Sequence, residues 1–289
     1  MAGKNMTDRE VLDHIHEINL NMLLELERIA NKYDVTYFLS CGGLLGALRH
    51  KDFIPWDNDV DVVMTRPEFD KLLPHLYEEL DPEIYEVIMP SDYGEKYFDM
   101  VPRINYKKAE IKMDPGYCEY YNGWANRIVL DFYFFDRVPD NFLGHMQVYR
   151  LEFLYGLLNG KRYDIDLNNY HGIMKAAAVL LRGIGRLFDT EKLRRHVDRV
   201  AMKYNNNEKV TTYRVTNDTI HTFTFSFPIS YYEEVRRVPI GEYLFPAPVK
   251  AEEVMTIHFG DYMQLPPEED RIPHWGFVPI TADNFIFTD

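Results

Sequence analysis

Cysteine is scarce: the 289 residues hold only Cys41 and Cys118. Two are too few for a disulfide framework or a structural zinc site, and the scarcity fits a reducing, cytoplasmic setting. Cys41 has no ordered base near it in the chain and reads as a small buried residue rather than a nucleophile. Positive charge is also in deficit. Lys and Arg number 32 against 46 Asp and Glu, a net charge of −14. That balance excludes a nonspecific nucleic-acid binder, which needs a cationic footprint. Long apolar runs are missing too: the longest, Ala176–Leu181, is far short of the ~20 residues of a membrane span. Residues 1–19 are polar and acidic, unlike a secretory leader. No internal repeat or low-complexity tract occurs.

Apolar side chains are plentiful. Hydrophobic residues make up 46% and aromatics 15%, enough for a large core and against wholesale disorder. The acidic clusters Glu78, Glu79, Asp81, Glu83 and Glu268–Asp270 have no ligand spacing and read as solvated surface.

The informative stretch is Ser40–Met64, SCGGLLGALRHKDFIPWDNDVDVVM. Tyr37, Phe38 and Leu39 read as the end of a strand, and Gly42 with Gly43 as a turn before a helix opening at Leu44. Such a turn offers unpaired N–H groups to a phosphate. Asp59–Met64 alternates as a strand, so Asp59 and Asp61 share one face while Val60 and Val62 face the core. Paired carboxylates at that spacing suit Mg²⁺, with Mn²⁺ as the alternative. Asp57 follows Pro55 and Trp56 in a turn, where it can join the site or cap its own backbone. A further carboxylate is Asp131, in the middle of the strand Ile128–Phe135. Burying it requires a positive partner, either a metal or a salt bridge to Arg103 or Arg127. Asp136, one residue past that strand, is expected in a turn.

Arg103 suits a donor-phosphate clamp, with pairing to Asp131 the competing role. Of Arg49, His50 and Lys51, which cannot all face one site, Arg49 is favoured for phosphate. Tyr93, Tyr97, Tyr117 and Trp124 are candidates for stacking on a base or caging a quaternary amine, or simply for the core.

The pattern predicts an α+β protein. Thr7 and Glu10 form a capping box for a helix to about Tyr33, with Ile15, Ile18, Met22, Leu26 and Ile29 as its buried stripe. Pro67 starts a helix to about Leu80, and Asp92–Gly94 is a turn. Strands are expected at Tyr85–Met89, Tyr97–Asn105, Thr212–Val215 and His221–Phe227. Helices are expected at Phe142–Leu158, Tyr170–Leu187, from Asp189 or Thr190 to about Tyr204, and at Val249–Phe259. Ile173–Phe188 interleaves Lys175, Arg182 and Arg186 with apolar residues, which suits packing on the core, an acceptor groove or peripheral contact with a membrane.

The run Leu39–Val62, together with Leu130-Asp131-Phe132 and the late segment Phe259–Met263 followed by Pro266 and Pro267, closely resembles the LicD family. These are phosphorylcholine transferases of bacterial surface glycans, and their relatives include fukutin and fukutin-related protein. The resemblance spans about residues 20 to 267. It implies a nucleotidyltransferase-like mixed sheet with flanking helices in residues 1–140. Residues 141–289 would be a helical segment and C-terminal extension packed on that core as one unit. It further implies Gly42 and Gly43 near the donor phosphates, metal on Asp59, Asp61 and Asp131, a CDP-linked alcohol as donor, and a glycan or lipid-linked glycan as acceptor. The implied reaction is in-line phosphoryl transfer with CMP leaving, the proton passing to Asp131 or Asp61. Two departures stand out: Gly42-Gly43 replaces a usual Gly-Thr, and Asn58 interrupts a usual run of three Asp. If the strand begins early, Asn58 points away from Asp59 and Asp61. Transfer of a nucleoside monophosphate, or noncatalytic glycan binding, are the alternatives.

Overall fold

The computed structural model describes residues 6–163, 171–218, 220–275 and 278–288. Helix α1 (Asp8–Lys32) opens on the expected capping box: Glu10 N donates to Thr7 Oγ1 at 3.3 Å, and Thr7 N donates to Glu10 Oε2 at 2.7 Å. Its stripe of Ile15, Ile18, Met22, Leu26 and Ile29 is buried. The chain continues through β1 (Phe38–Leu39), α2 (Cys41–Arg49), β2 (Val60–Thr65), α3 (Arg66–Glu79), β3 (Tyr85–Ile88), β4 (Arg103–Ile111), α4 (Pro115–Tyr120) and β5 (Arg127–Arg137). Helices α5 (Phe142–Asn159), α6 (Gly172–Gly185) and α7 (Thr190–Ala201) follow. Then come β6 (Thr212–Val215), β7 (Phe227–Pro228), β8 (Val235–Ile240), β9 (Tyr243–Pro248), α8 (Ala251–Phe259), β10 (His274–Trp275), β11 (Val278–Pro279) and β12 (Phe285–Phe287).

The fold is α+β. Its main sheet runs β1-β2-β5-β4-β12, with β3 on β4 and β6 joining β5 to β7. Among the described residues only β2 and β5 pair in parallel; the other pairs of this sheet are antiparallel. The stripe of α1 and Phe69, Leu72 and Leu76 of α3 share one core cluster with Val62, Leu130 and Phe132 of the central strands. A second cluster lies between α5 and α7, with Tyr97, Met100 and Phe223. The later half of the chain contributes β6, β7 and β12 to the same sheet, and Phe245, Val254 and Met255 to the first core.

Several elements differ from the pattern-based expectation. The Gly pair lies inside the first turn of α2, which starts at Cys41 after Ser40, rather than ahead of the helix. Strand β4 begins at Arg103, not Tyr97. Asp99 Oδ1 takes the Val101 N–H at 2.9 Å and Pro102 has none to give, so the chain turns before it can pair. The expected strand His221–Phe227 is a 3₁₀ turn at Thr222–Thr224, because Thr224 Oγ1 donates to His221 O at 2.7 Å. Asp136 is not in a turn but within β5 and fully buried, held by Arg66, Asn205 and Thr216. Tyr170, the expected start of α6, lies outside the described residues.

Candidate active site

Strand register builds the site. Across the parallel pair β2 and β5, Asp61 stands opposite Asp131; across the antiparallel pair β4 and β5, Arg103 stands opposite Asp131. Three charged residues therefore form a row over adjacent central strands. Asp59, one residue ahead of β2, is two positions from Asp61 and joins them at the end of the sheet. A cavity of about 430 Å³ opens there, lined by Asp59, Asp131 and Arg103 together with Asn58, Asp99 and Tyr117. Asn58 does not turn away from Asp59, because β2 begins only at Val60 and the two-residue alternation has not yet set in.

Charge in this row is poorly balanced. Arg103 Nε donates to Asp131 Oδ1 at 3.0 Å and Nη2 to Asp99 Oδ2 at 2.6 Å, so the sole guanidinium of the row is shared by two carboxylates. Burial works against its charge, yet Asp131 and Asp99 outweigh that and hold its pKa well above the ordinary value. Burial lifts Asp131 to about 7, with Arg103 pulling it back. Burial and then repulsion from Asp57 lift Asp59 to about 7, and burial lifts Asp57 to about 6. Asp61 is pushed well above the carboxylate range by burial, then by Asp59 and Asp131.

Asp61 Oδ1 is buried, and no hydrogen bond reaches it from any described residue. A buried carboxyl oxygen without a hydrogen-bond partner costs free energy, and a cation meeting it would remove that cost. Hard oxygen donors with such an unmet atom fit Mg²⁺ or Mn²⁺ by their chemistry. Their side chains as they stand do not close around an ion: among the described residues no three His, Cys, Asp or Glu form a ligating group.

The remaining expected residues are distributed as follows. Gly42 lies against Asp57: a Cβ there would sit 2.0 Å from Asp57 Oδ2, so only glycine leaves room for that carboxylate at the start of α2. Gly43 faces Val60 and the Asp61 carbonyl at ordinary contact distance. Arg49 is outside the cavity. Its Nη1 donates to the carbonyls of Tyr262 at 2.9 Å and Gln264 at 3.3 Å, tying α2 to the late loop. Arg127 donates to the Lys107 carbonyl at 2.8 Å and lies 3.6 Å from Glu110, leaving Asp131 to Arg103. Of the four aromatic candidates only Tyr117 lines the cavity, where Phe98 and Tyr163 join it; Tyr93 and Tyr97 are buried core residues. Burial raises the Cys41 thiol well above its ordinary pKa, which leaves it protonated and inert.

Two site residues had no sequence signal. Asp99 reaches Arg103 from the segment expected to be a strand. Asp218, in the loop after β6, adds negative charge that raises Asp59 and Asp61 further. It arrives from more than 150 positions away in sequence, and only the pairing of β6 with β5 brings that loop to the row.

Residues 34–142 match the family model described as LicD/FKTN/FKRP, nucleotidyltransferase domain. All eight residues singled out from sequence for catalysis, metal or phosphate fall inside that stretch. The chain is also 28% identical over 264 residues to the lipopolysaccharide cholinephosphotransferase LicD of Haemophilus influenzae, covering 88% of this chain and 92% of that protein.

Proposed function

Because this chain belongs to the LicD family, we propose that it is a transferase moving a phosphorylated alcohol from a CDP-linked donor to a sugar hydroxyl of a surface glycan, with CMP released. Phosphocholine is the alcohol we favour, on the strength of the Haemophilus relative's cholinephosphotransferase activity. The observation that carries this reading is the row Asp61, Asp131 and Arg103, with Asp59 beside it at the mouth of one cavity.

Asp59 and Asp61, with Asp57 next to them, are the residues that would hold Mg²⁺ or Mn²⁺, which when bound would neutralise charge growing on the phosphate oxygens. Asp131 gives one oxygen to Arg103 and lines the cavity, so its second oxygen is free for a single task. We assign it the proton of the sugar hydroxyl. A pKa of about 7 suits a general base working near neutrality. As the hydroxyl oxygen bonds to the donor phosphorus, the phosphorus–oxygen bond to CMP breaks and Asp131 keeps the proton. Arg103 fixes the direction of that carboxylate. Tyr117 and Tyr163 offer apolar faces to the base or the quaternary amine.

A lipid-linked acceptor at a membrane surface fits helix α6. Ile173, Met174, Val179 and Leu180 are all at least half exposed. Leu181, Ile184 and Gly185 pack toward α5, and the rest of this apolar helix is left without cover. Between Gly172 and Phe188 the chain has Lys175, Arg182 and Arg186 and no acid. In a chain of net charge −14 that local surplus complements an anionic bilayer. Contact would be peripheral, since no helix among the described residues is long and apolar enough to cross a membrane.

The test is CMP release from CDP-choline, CDP-ribitol and CDP-glycerol with Mg²⁺ or Mn²⁺, using Asp59→Ala as control and a mixed bacterial glycan as acceptor. Metal-dependent release that Asp59→Ala abolishes is expected. Pyrophosphate released from a nucleoside triphosphate instead would move the assignment to nucleotidyl transfer. Glycan binding that survives Asp59→Ala, without turnover, would make this a binding protein.

A further inference from the structure

Next to the carboxylate cavity lies a second one of about 360 Å³, whose walls include Lys161, Arg162, Arg182 and Arg186. Among the described residues its one acid is Glu95, already 3.5 Å from Lys161 Nζ and accepting from Thr190 N at 3.2 Å and Thr190 Oγ1 at 3.0 Å. Lys161, Arg182 and Arg186 stand around that one committed carboxylate, the reverse of the charge balance of the whole chain. Arg182 Nε is buried and meets no hydrogen-bond acceptor among the described residues. An unmet buried donor carries a cost like that of the unmet oxygen of Asp61, and an anion in the cavity would meet it.

The wall is built at close quarters. A Cβ on Gly160 would lie 2.6 Å from Arg182 Cα, and one on Gly185 would lie 2.1 Å from Leu157 O. Glycines at both contacts let α6 approach the end of α5 closely enough to bring Arg182 and Arg186 beside Lys161 and Arg162. Arg162 and Tyr163 line both cavities, so the cationic cavity and the carboxylate cavity are neighbours with a shared wall.

We propose that the cationic cavity binds a phosphate or diphosphate ester carried by the acceptor, holding that substrate while its hydroxyl reaches the carboxylate cavity. The inference rests on the transferase reading. The donor's reacting phosphorus must lie at Asp59 and Asp131, which leaves an anion site one cavity away to the other substrate. Arginine forks match phosphate oxygens in pairs, and a diphosphate engages several at once.

The experiment is binding of radiolabelled inorganic pyrophosphate to the full chain in EDTA at low salt, which needs neither metal nor turnover. Arg186→Gln is the main variant, because Arg186 is exposed and its loss leaves the core intact; Arg182→Gln/Arg186→Gln is the stronger one. Pyrophosphate binding should weaken about tenfold in the first and further in the second, while Asp59→Asn leaves it within about twofold. Mannose 6-phosphate should displace the probe and CDP-choline should not. Displacement by CDP-choline would give the cavity to the donor and overturn the acceptor assignment. Unchanged binding in both arginine variants, or no binding to the parent, would overturn the site itself. If pyrophosphate binds as expected and no CDP-alcohol yields CMP, the transferase reading fails while the anion site stands.

Discussion

Replacing Asp59 by Asn should make the metal-free protein more stable at pH 8 while abolishing turnover. In the fold, burial and the neighbouring Asp57 hold the Asp59 carboxyl near 7 instead of its ordinary 3.8. A folded pKa above the unfolded one means that the folded state binds the proton more tightly. Stability from this group is therefore full at acid pH and is lost as pH rises from about 4 through about 7. At 1.36 kcal/mol per pKa unit the charged form costs roughly 4 kcal/mol at pH 8. Part of that belongs to repulsion shared with Asp57, and the Asn amide brings polar atoms of its own worth ~1–3 kcal/mol if unsatisfied. The net gain for Asp59→Asn is then about 1–3 kcal/mol, or roughly 2–6 °C in Tm for a chain of this size. Urea unfolding in EDTA at pH 8 and pH 5 measures it. The gap between variant and parent should shrink at pH 5, where the parent's carboxyl is already protonated. Adding Mg²⁺ at pH 8 should stabilise the parent and not the variant. A variant equal to or less stable than the parent at pH 8, or a gap independent of pH, would refute the argument that unmet negative charge is stored at this site.

Gly42→Ala should keep the fold and lose activity, because the Asp57 carboxylate 2.0 Å from the new Cβ can swing away but then no longer sits beside Asp59. A fall of about 10²-fold in kcat with an almost unchanged Tm is expected, since displacements near 1 Å in a reacting constellation cost that much. Co-sedimentation with vesicles checks the peripheral membrane contact. Vesicles containing phosphatidylglycerol should bring the chain down and pure phosphatidylcholine vesicles should not, and both Leu180→Glu and added salt should release it; equal sedimentation with the two vesicle types would count against α6 as the contact.

Much of the candidate site could be proposed from one stretch of sequence because its chemistry is local. Asp59 and Asp61 are two residues apart beside a strand, and Asp131 stands in a run so apolar that its charge demands a reason. The α1 capping box, the Pro67 helix start and the helices over 142–159 and 190–201 follow from equally local signals. What could not be read depends on partners distant in sequence. Arg49 has the right position for a phosphate contact, but carbonyls at Tyr262 and Gln264 claim it. Asp218 and Asp99 come to the row through sheet pairing and a turn. The cationic cavity joins residues of α6 to Lys161 and Arg162 by a helix crossing that depends on glycines at 160 and 185, which no periodicity announces.

Two carboxylates on β5 show that the imbalance at the site is specific to it. Asp131 and Asp136 are five residues apart on one strand and so face opposite sides of the sheet. Asp136 is fully buried, yet every need is met: Arg66 Nε donates to both its oxygens at 3.0 Å, Asn205 Nδ2 reaches it at 2.5 Å and Thr216 Oγ1 bonds to it as well. Arg66 is in turn steadied by Asp198 at 2.9 Å. This is how the chain buries a carboxylate whose purpose is structural, and breaking such a set costs about 3–5 kcal/mol. On the other face Asp131 receives half of one arginine, and among the described residues Asp59 and Asp61 have no ion pair, Arg103 reaching Asp59 only through space. Selection for stability alone would have placed an Arg or a neutral residue there, as it did for Asp136. The uncompensated charge makes sense if its partner arrives from solution with the substrate. On that argument the strain at Asp59 and Asp61 is what prepares this end of the sheet for a cation and a phosphate.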